Sequence, residues 1–132
     1  MKILPWSIPL SNVDINNIIQ QIPQLLKYFR GVFSRDEILP LLKKPKNIEC
    51  SILNLDTRNG PGSHWTAYFK IRKNIYYYDS FGNLPPPKEL LNYFKEKEIF
   101  YNRNREQEFN TIVCGHLCLC FLYKVSCNLH KL

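Results

Sequence analysis

No stretch of this 132-residue chain stays apolar long enough to span a bilayer. Pro5 and Pro9 interrupt the N-terminal apolar residues before they reach the length of a signal-peptide core. We therefore expect an intracellular protein that is not secreted and has no membrane partner. Acidic residues are also short, eleven against eighteen Lys and Arg, and the net charge of +7 favours polyanions such as nucleic acid or an acidic protein surface. The basic residues fall in small groups, "KKPK" at 43–46, "KIRK" at 70–73 and "NRNR" at 102–105, and line no single helix or tail. A soluble basic surface is therefore a stronger reading than a dedicated DNA site. Repeats, low-complexity segments and a linker are all missing, which leaves one domain over residues 1–132. Finally, no Cys-x-x-Cys pair occurs, although five cysteines do, four of them (114, 118, 120 and 127) close to the end. Crowding of that kind suits no disulfide scaffold, which staples distant segments, and it points to a reducing compartment.

What the chain has is apolar and aromatic surface: 45% hydrophobic residues, with eight Tyr, eight Phe and two Trp. That is enough to offset the entropy of ordering a backbone of this length. Ser11 and Asp14 form a helix-start signature, and Val13, Ile18, Ile19, Ile22, Leu25, Leu26 and Phe29 follow at helical spacing. This predicts an amphipathic helix kinked at Pro23 and punctuated by Gly31. A second capping pair, Ser34 and Glu37, opens a short helix that Pro40 should limit. "ECSILNLD" at 49–56 reads as a buried strand closed by the turn-rich "TRNGPGS". "HWTAYFKI" and "NIYYYDSF" form an aromatic hairpin joined around Arg72 to Asn74, ended by "GNLPPP". A helix over "PKELLNYFKEKE", a strand at "IFYN" and a buried helix within Ile112 to Val125 complete an α+β pattern.

"NTIVCGHLCLCFLY" at 110–123 puts three cysteines and a histidine within seven positions. On a helix, Cys114 and Cys118 share one face and His116 and Cys120 another about 160 degrees away, so the four cannot converge on one zinc ion. Packing as small hydrophobes suits Cys118, Cys120 and Cys127. Cys114 differs: it stands where a polar loop gives way to the helix, and Gly115 beside it leaves room for a substrate backbone. A thiol at a helix N-terminus feels the positive end of the macrodipole, which favours the thiolate, and this is the place of a nucleophile.

A thiolate needs a cation to hold it and a proton donor for the leaving group, and histidine suits both. His130 lies almost at the end of the chain and His116 points away from Cys114, which leaves His64, beside Trp65 and after a Gly-rich loop. Asp79 closes the neighbouring strand and can fix the imidazole tautomer. A loop centred near Lys73 would put Asp79 a few residues from facing His64, so the register stays open. Gln107 can donate a side-chain amide to an oxyanion, with the Cys114 backbone N–H as second donor. Each residue has an ordinary alternative: a structural or solvent-facing His, a turn-forming Asp, a solvated Gln.

Taken together, "GSHW", "YYYDSFG" and "QEFNTIVCG" resemble the adenain family of adenoviral cysteine endopeptidases, with Maverick/Polinton and virophage-type proteases nearest in look. The order His, acid, Gln, Cys is shared with the ubiquitin-like-protein (SUMO) proteases of the same superfamily. The resemblance covers about Phe29 to Tyr123 and includes "YFRGVFSRDEIL". It implies a mixed or antiparallel sheet packed against helices, with the nucleophile at a helix N-terminus. It assigns His64 as base, Asp79 as its orienting acid, Gln107 to the oxyanion hole, Cys114 as nucleophile and Trp65 as a shield. The implied function is cleavage near glycine through a thioester, maturing capsid or scaffold precursors of a virus or virus-like transposon. Such a protein would be a monomer in the host nucleus or cytoplasm, or packaged in virions.

The chain departs from adenoviral enzymes by stopping soon after the nucleophile helix, and it has no cysteine between Cys50 and Cys114 for a disulfide-linked activating peptide. We expect no required cofactor, with DNA left open as an activator. Two alternatives stand: a SUMO-type isopeptidase, and a basic nucleic-acid-binding protein without catalysis.

Overall fold

The computed structural model describes residues 4–56, 64–108 and 111–129. The "TRNGPGS" turn and His130 lie outside the described residues. Ser11 caps α1 (Asn12–Gln20) through the reciprocal pair expected: its hydroxyl accepts from Asp14 N–H, and Asp14 accepts from Ser11 N–H. The predicted long helix divides here. Proline at residue 23 cannot donate to the turn before it, so it opens a separate short helix, α2 (Pro23–Leu26), and the residues after it enter a strand.

That strand, β1 (Phe29–Ser34), carries Gly31 at φ 135 where the pairing shifts register, so Gly31 marks a bulge within a strand and not the end of a helix. A single 3-10 turn over Arg35–Glu37, closed by the Ser34–Glu37 capping pair, leads into α3 (Ile38–Leu42). Pro40 does not limit this helix. It lies near the start, where its missing N–H would have had no partner, and the helix runs on to Leu42.

The sheet is completed by β2 (Ile48–Asn54), β3 (Trp65–Ile71), β4 (Asn74–Tyr78) and β5 (Phe100–Tyr101), in spatial order β1-β2-β3-β4-β5. β2, β3 and β4 are antiparallel, whereas β1 and β5 each add in parallel at an edge. The hairpin turns through Arg72 and Lys73, with Ile71 facing Asn74, as the sequence pattern predicted. Between β4 and β5 lies α4 (Lys88–Phe94), preceded by Pro87, and α5 (Cys114–Cys127) follows β5.

Alternation along the strands sorts the core into two layers. Cys50, Ile52, Ala67, Phe69, Ile71 and Tyr78 meet α1, α2 and α5, whose Ile15, Ile19, Leu25, Cys118, Leu119 and Leu122 are buried. Leu53, Tyr68, Ile75 and Tyr77 meet Ile38, Leu42, Leu90, Tyr93 and Phe94 of α3 and α4 on the other face. A sheet covered on both faces explains why β2 and β3 read as almost continuous apolar runs. It also fixes α5 across β3, so the first residue of α5 arrives at the end of the sheet where β3 begins.

Candidate active site

Three segments meet at that end: the entry to β3, the exit from β4 and the start of α5. His64 and Asp79 have both just left the hairpin ladder. The pairing of Ala67 with Tyr78, continued one step, would put Asp79 opposite Thr66 and leave His64 two residues further on. Freed from the ladder, the imidazole closes that offset, and His64 Nε2 lies 2.8 Å from Asp79 Oδ1. The acid is buried, with 1% of its side chain exposed, and the same oxygen accepts from Phe81 N–H at 3.0 Å. With Nε2 committed to Asp79, Nδ1 is the ring nitrogen left for the Cys114 thiol, which is the second hydrogen-bond partner of His64.

The electrostatics favour an ion pair. Burial works against a charged imidazole, but the hydrogen bonds to Asp79 and Cys114 and their negative charge outweigh it, and His64 is raised to about 9. Burial likewise opposes a thiolate at Cys114. There the His64 hydrogen bond, the backbone N–H groups of Trp65 and Gly115 and the imidazolium charge prevail, and its pKa lies below the ordinary thiol value. Cys114 is the first residue of a 14-residue helix, so its own N–H is among the donors a helix cannot satisfy internally. The other cysteines of the cluster behave differently. Burial raises Cys118 well above the thiol range, and Cys120 is raised as well. Cys127 is exposed, with its sulfur accepting from Gln24 at 3.2 Å, so the buried-hydrophobe role expected of it does not apply. His116 points away from Cys114, as read from the helix geometry: its Nε2 meets Pro5 O at 2.8 Å and its ring stacks on Trp6.

Gln107 is buried, at 3% exposure, in the loop between β5 and α5. Its Nε2 donates to Thr111 O at 3.0 Å, and its Oε1 accepts from the Ser80 hydroxyl. An amide nitrogen carries two hydrogens, so one is committed to Thr111 and one is left for a ligand.

One expectation is corrected. The space beside Gly115 is not left for substrate: a Cβ there would meet Trp65 Cδ1 at 3.2 Å and Leu10 Cβ at 3.4 Å, so the missing side chain admits the protein's own Trp65 and Leu10. Phe81 stacks on His64 at 4.6 Å and 21°, and Trp65 lies against Gly115 and donates its indole N–H to Leu10 O at 2.9 Å. The N-terminal segment thus braces the residues next to both His64 and Cys114.

No protein-family model matches the chain. A cysteine protease of African swine fever virus is 31% identical over 87 residues, which make up 61% of this chain and 32% of that protein. The protease of bovine adenovirus 2 is 26% identical over 112 residues, 73% of this chain and 54% of the adenoviral one. Both relatives are viral proteases. The chain spans about a third of the first relative and about half of the second. Among solved structures, the SUMO protease Ulp1 with its catalytic cysteine oxidized to a sulfonic acid matches at a TM-score of 0.52 and 17% identity, over 90% of this chain and 67% of that one. The fold is therefore the α+β fold of that protease, with Cys114 at the start of α5 as the sequence resemblance implied.

The site depends on residues that the sequence does not single out. Asn102, read only as part of a basic group, clamps the backbone of Asp79: its Oδ1 accepts from Asp79 N–H at 2.9 Å and its Nδ2 donates to Asp79 O at 2.7 Å. No signal in a polar loop distinguishes such an asparagine from a solvated one. Gly82 did carry a signal, in "DSFG". It sits at φ 76, and a Cβ there would lie 2.5 Å from the Asn104 carbonyl. Only glycine lets the 102–107 loop come close enough to deliver both Asn102 and Gln107.

Proposed function

We propose that this chain is a cysteine endopeptidase domain. The observation that carries the proposal is the linked set Cys114, His64 and Asp79, in which the thiol lies below and the imidazole above its ordinary pKa. The names of the two viral relatives support it. In the reaction, the Cys114 thiolate attacks the scissile carbonyl carbon and an S–C bond forms. The oxyanion is held by Gln107 Nε2 and the Cys114 N–H. Collapse of the tetrahedral intermediate breaks the C–N bond, and His64 passes its proton to the departing amine. His64 then takes a proton from the water that attacks the thioester carbon, the C–S bond breaks, and the carboxylic acid leaves with the Cys114 thiolate and His64 imidazolium restored. Asp79 keeps the ring oriented throughout.

We place the cleaved bond next to glycine, in capsid or scaffold precursors of a virus or virus-like element. A SUMO-type activity is the second reading, favoured by one African swine fever virus relative named as a SUMO-1 cysteine protease, 29% identical over 87 residues. The deciding experiment incubates the protein and its Cys114→Ala variant with precursor proteins encoded beside the gene and with a Gly-Gly-tailed SUMO modifier, with and without duplex DNA. Cys114-dependent cleavage of the precursors is expected. Cleavage of the modifier alone transfers the assignment to the second reading, stimulation by DNA makes nucleic acid an activator, and cleavage of neither substrate rejects hydrolysis.

A further inference from the structure

The tetrad leaves Ser80 without a role, yet this residue is fully buried and grips Gln107 from two sides. Ser80 O accepts from Gln107 N–H at 3.0 Å and from Glu106 N–H at 2.7 Å, and its hydroxyl donates to Gln107 Oε1. The direction of that last bond is set by chemistry. Thr111 O, at 3.0 Å, can only accept, so the amide must present Nε2 to it and Oε1 to the opposite side. Ser80 then has to donate. An amide turned by 180° would set its oxygen against the Thr111 carbonyl and leave two acceptors in contact. The donor face of Gln107 is therefore held by two groups at once.

We propose that Ser80 is the positioning residue of the oxyanion hole, acting on substrate through Gln107. The inference rests on the protease reading and deepens it. Asp79 aims the imidazole and its neighbour Ser80 aims the amide, so one turn following β4 sets both halves of the site. Preorganised donors owe their effect to orientation fixed before charge develops. Without the Ser80 hydroxyl, Gln107 Oε1 loses its partner, and the Thr111 carbonyl alone resists rotation of the amide about its last torsion.

The test uses the full chain and a peptide ending in Gly-Gly joined to aminomethylcoumarin, together with iodoacetamide alkylation of Cys114. Alkylation forms no tetrahedral oxyanion, so it reads the thiolate and imidazolium alone. Ser80→Ala should lower kcat about tenfold, less than the ~10²–10³-fold loss of a whole oxyanion donor, and should leave KM and the alkylation rate unchanged. In a Gln107→Ala background the same substitution should have no further effect on kcat. Additive losses, or an alkylation rate that falls in parallel with kcat, would give Ser80 a merely structural role and overturn the assignment. Turnover by the wild type that Ser80→Ala leaves intact overturns it too, while the protease reading stands. If the peptide is not turned over, the same comparison is made on a cleaved precursor, and a wild type that cleaves no substrate rejects both. A variant that fails to fold, judged by thermal unfolding, is replaced by Ser80→Thr, which keeps the hydroxyl and should keep kcat. Loss of turnover by folded Ser80→Thr counts against the assignment.

Discussion

His64 Nε2 and Asp79 Oδ1 are 2.8 Å apart, although the hairpin register alone would leave them two residues out of line. The contact forms because both residues lie just beyond the ladder, where side-chain hydrogen bonds decide the backbone path. Asp79 is itself held by Asn102, and Phe81 closes over the ring.

The pH dependence of Cys114 chemistry follows from the two shifts. A thiol at the ordinary value of 9.0 is about 1% thiolate at pH 7. Cys114 lies lower, so iodoacetamide should modify it at pH 7 faster than it modifies glutathione. His64 is raised to about 9, so the imidazolium that protonates the leaving amine is present below that pH and lost above it. Turnover should rise on the acid side as Cys114 ionises and fall as pH passes through about 9. His64→Gln should return the alkylation profile to that of an ordinary thiol; an unchanged profile would mean that the pair does not govern the sulfur.

Asn102 offers a second test. Asn102→Asp keeps an acceptor for Asp79 N–H but sets a carboxylate against Asp79 O, and Asn102→Ala removes both bonds. Both variants should lose about tenfold in kcat through misplacement of the acid. Asn102→Asp should lose more thermal stability than Asn102→Ala, because it adds repulsion where the other only removes attraction. Steady-state kinetics and thermal unfolding read the two effects separately.

Gly82→Ala should disrupt the site from a distance. The positive φ and the 2.5 Å approach to the Asn104 backbone leave no room for a Cβ, and the substitution should cost about 2 kcal/mol or more. Displacing the 102–107 loop removes Asn102 and Gln107 together, so activity should fall further than for either single variant. Near-wild-type activity in Gly82→Ala would show that the loop does not need this approach.

Cys118 separates structure from chemistry. It is fully buried against the sheet, and burial raises its pKa. Cys118→Ala should destabilise the fold by about 1 kcal/mol while preserving the alkylation rate of Cys114. Cys114→Ala should abolish activity with little change in denaturant midpoint. The reverse pattern would exchange the roles of the two thiols.

The elements that the sequence discloses are those whose signals are local. The Ser11 and Ser34 capping pairs, the two-residue turn at Arg72 and Lys73, and α5 all follow from neighbouring residues. β1 was hidden, because "FRGVFS" gains strand character only from β2 beside it, and a glycine at a bulge looks like a helix stop. His64, Asp79, Gln107 and Cys114 could be listed from residue chemistry and chain order. Asn102, Ser80 and Phe81 could not be assigned roles, since each acts through a contact made only when the 102–107 loop folds against the turn after β4. The contact of Trp65 with Leu10 is hidden for the same reason, since Leu10 lies far away in the chain.

The two-residue turn between β3 and β4 has a consequence for the order of assembly. It brings His64 and Asp79 together by closing a short loop, whereas Cys114 must return from much later in the chain, at a greater entropic cost. During synthesis the imidazole and its acid can meet before the sulfur has a partner, and Cys114 gains the contacts that favour its thiolate only when α5 docks. Susceptibility of Cys114 to oxidants would then mark the last step of folding, and a newly made chain would carry no reactive nucleophile while its core was still open.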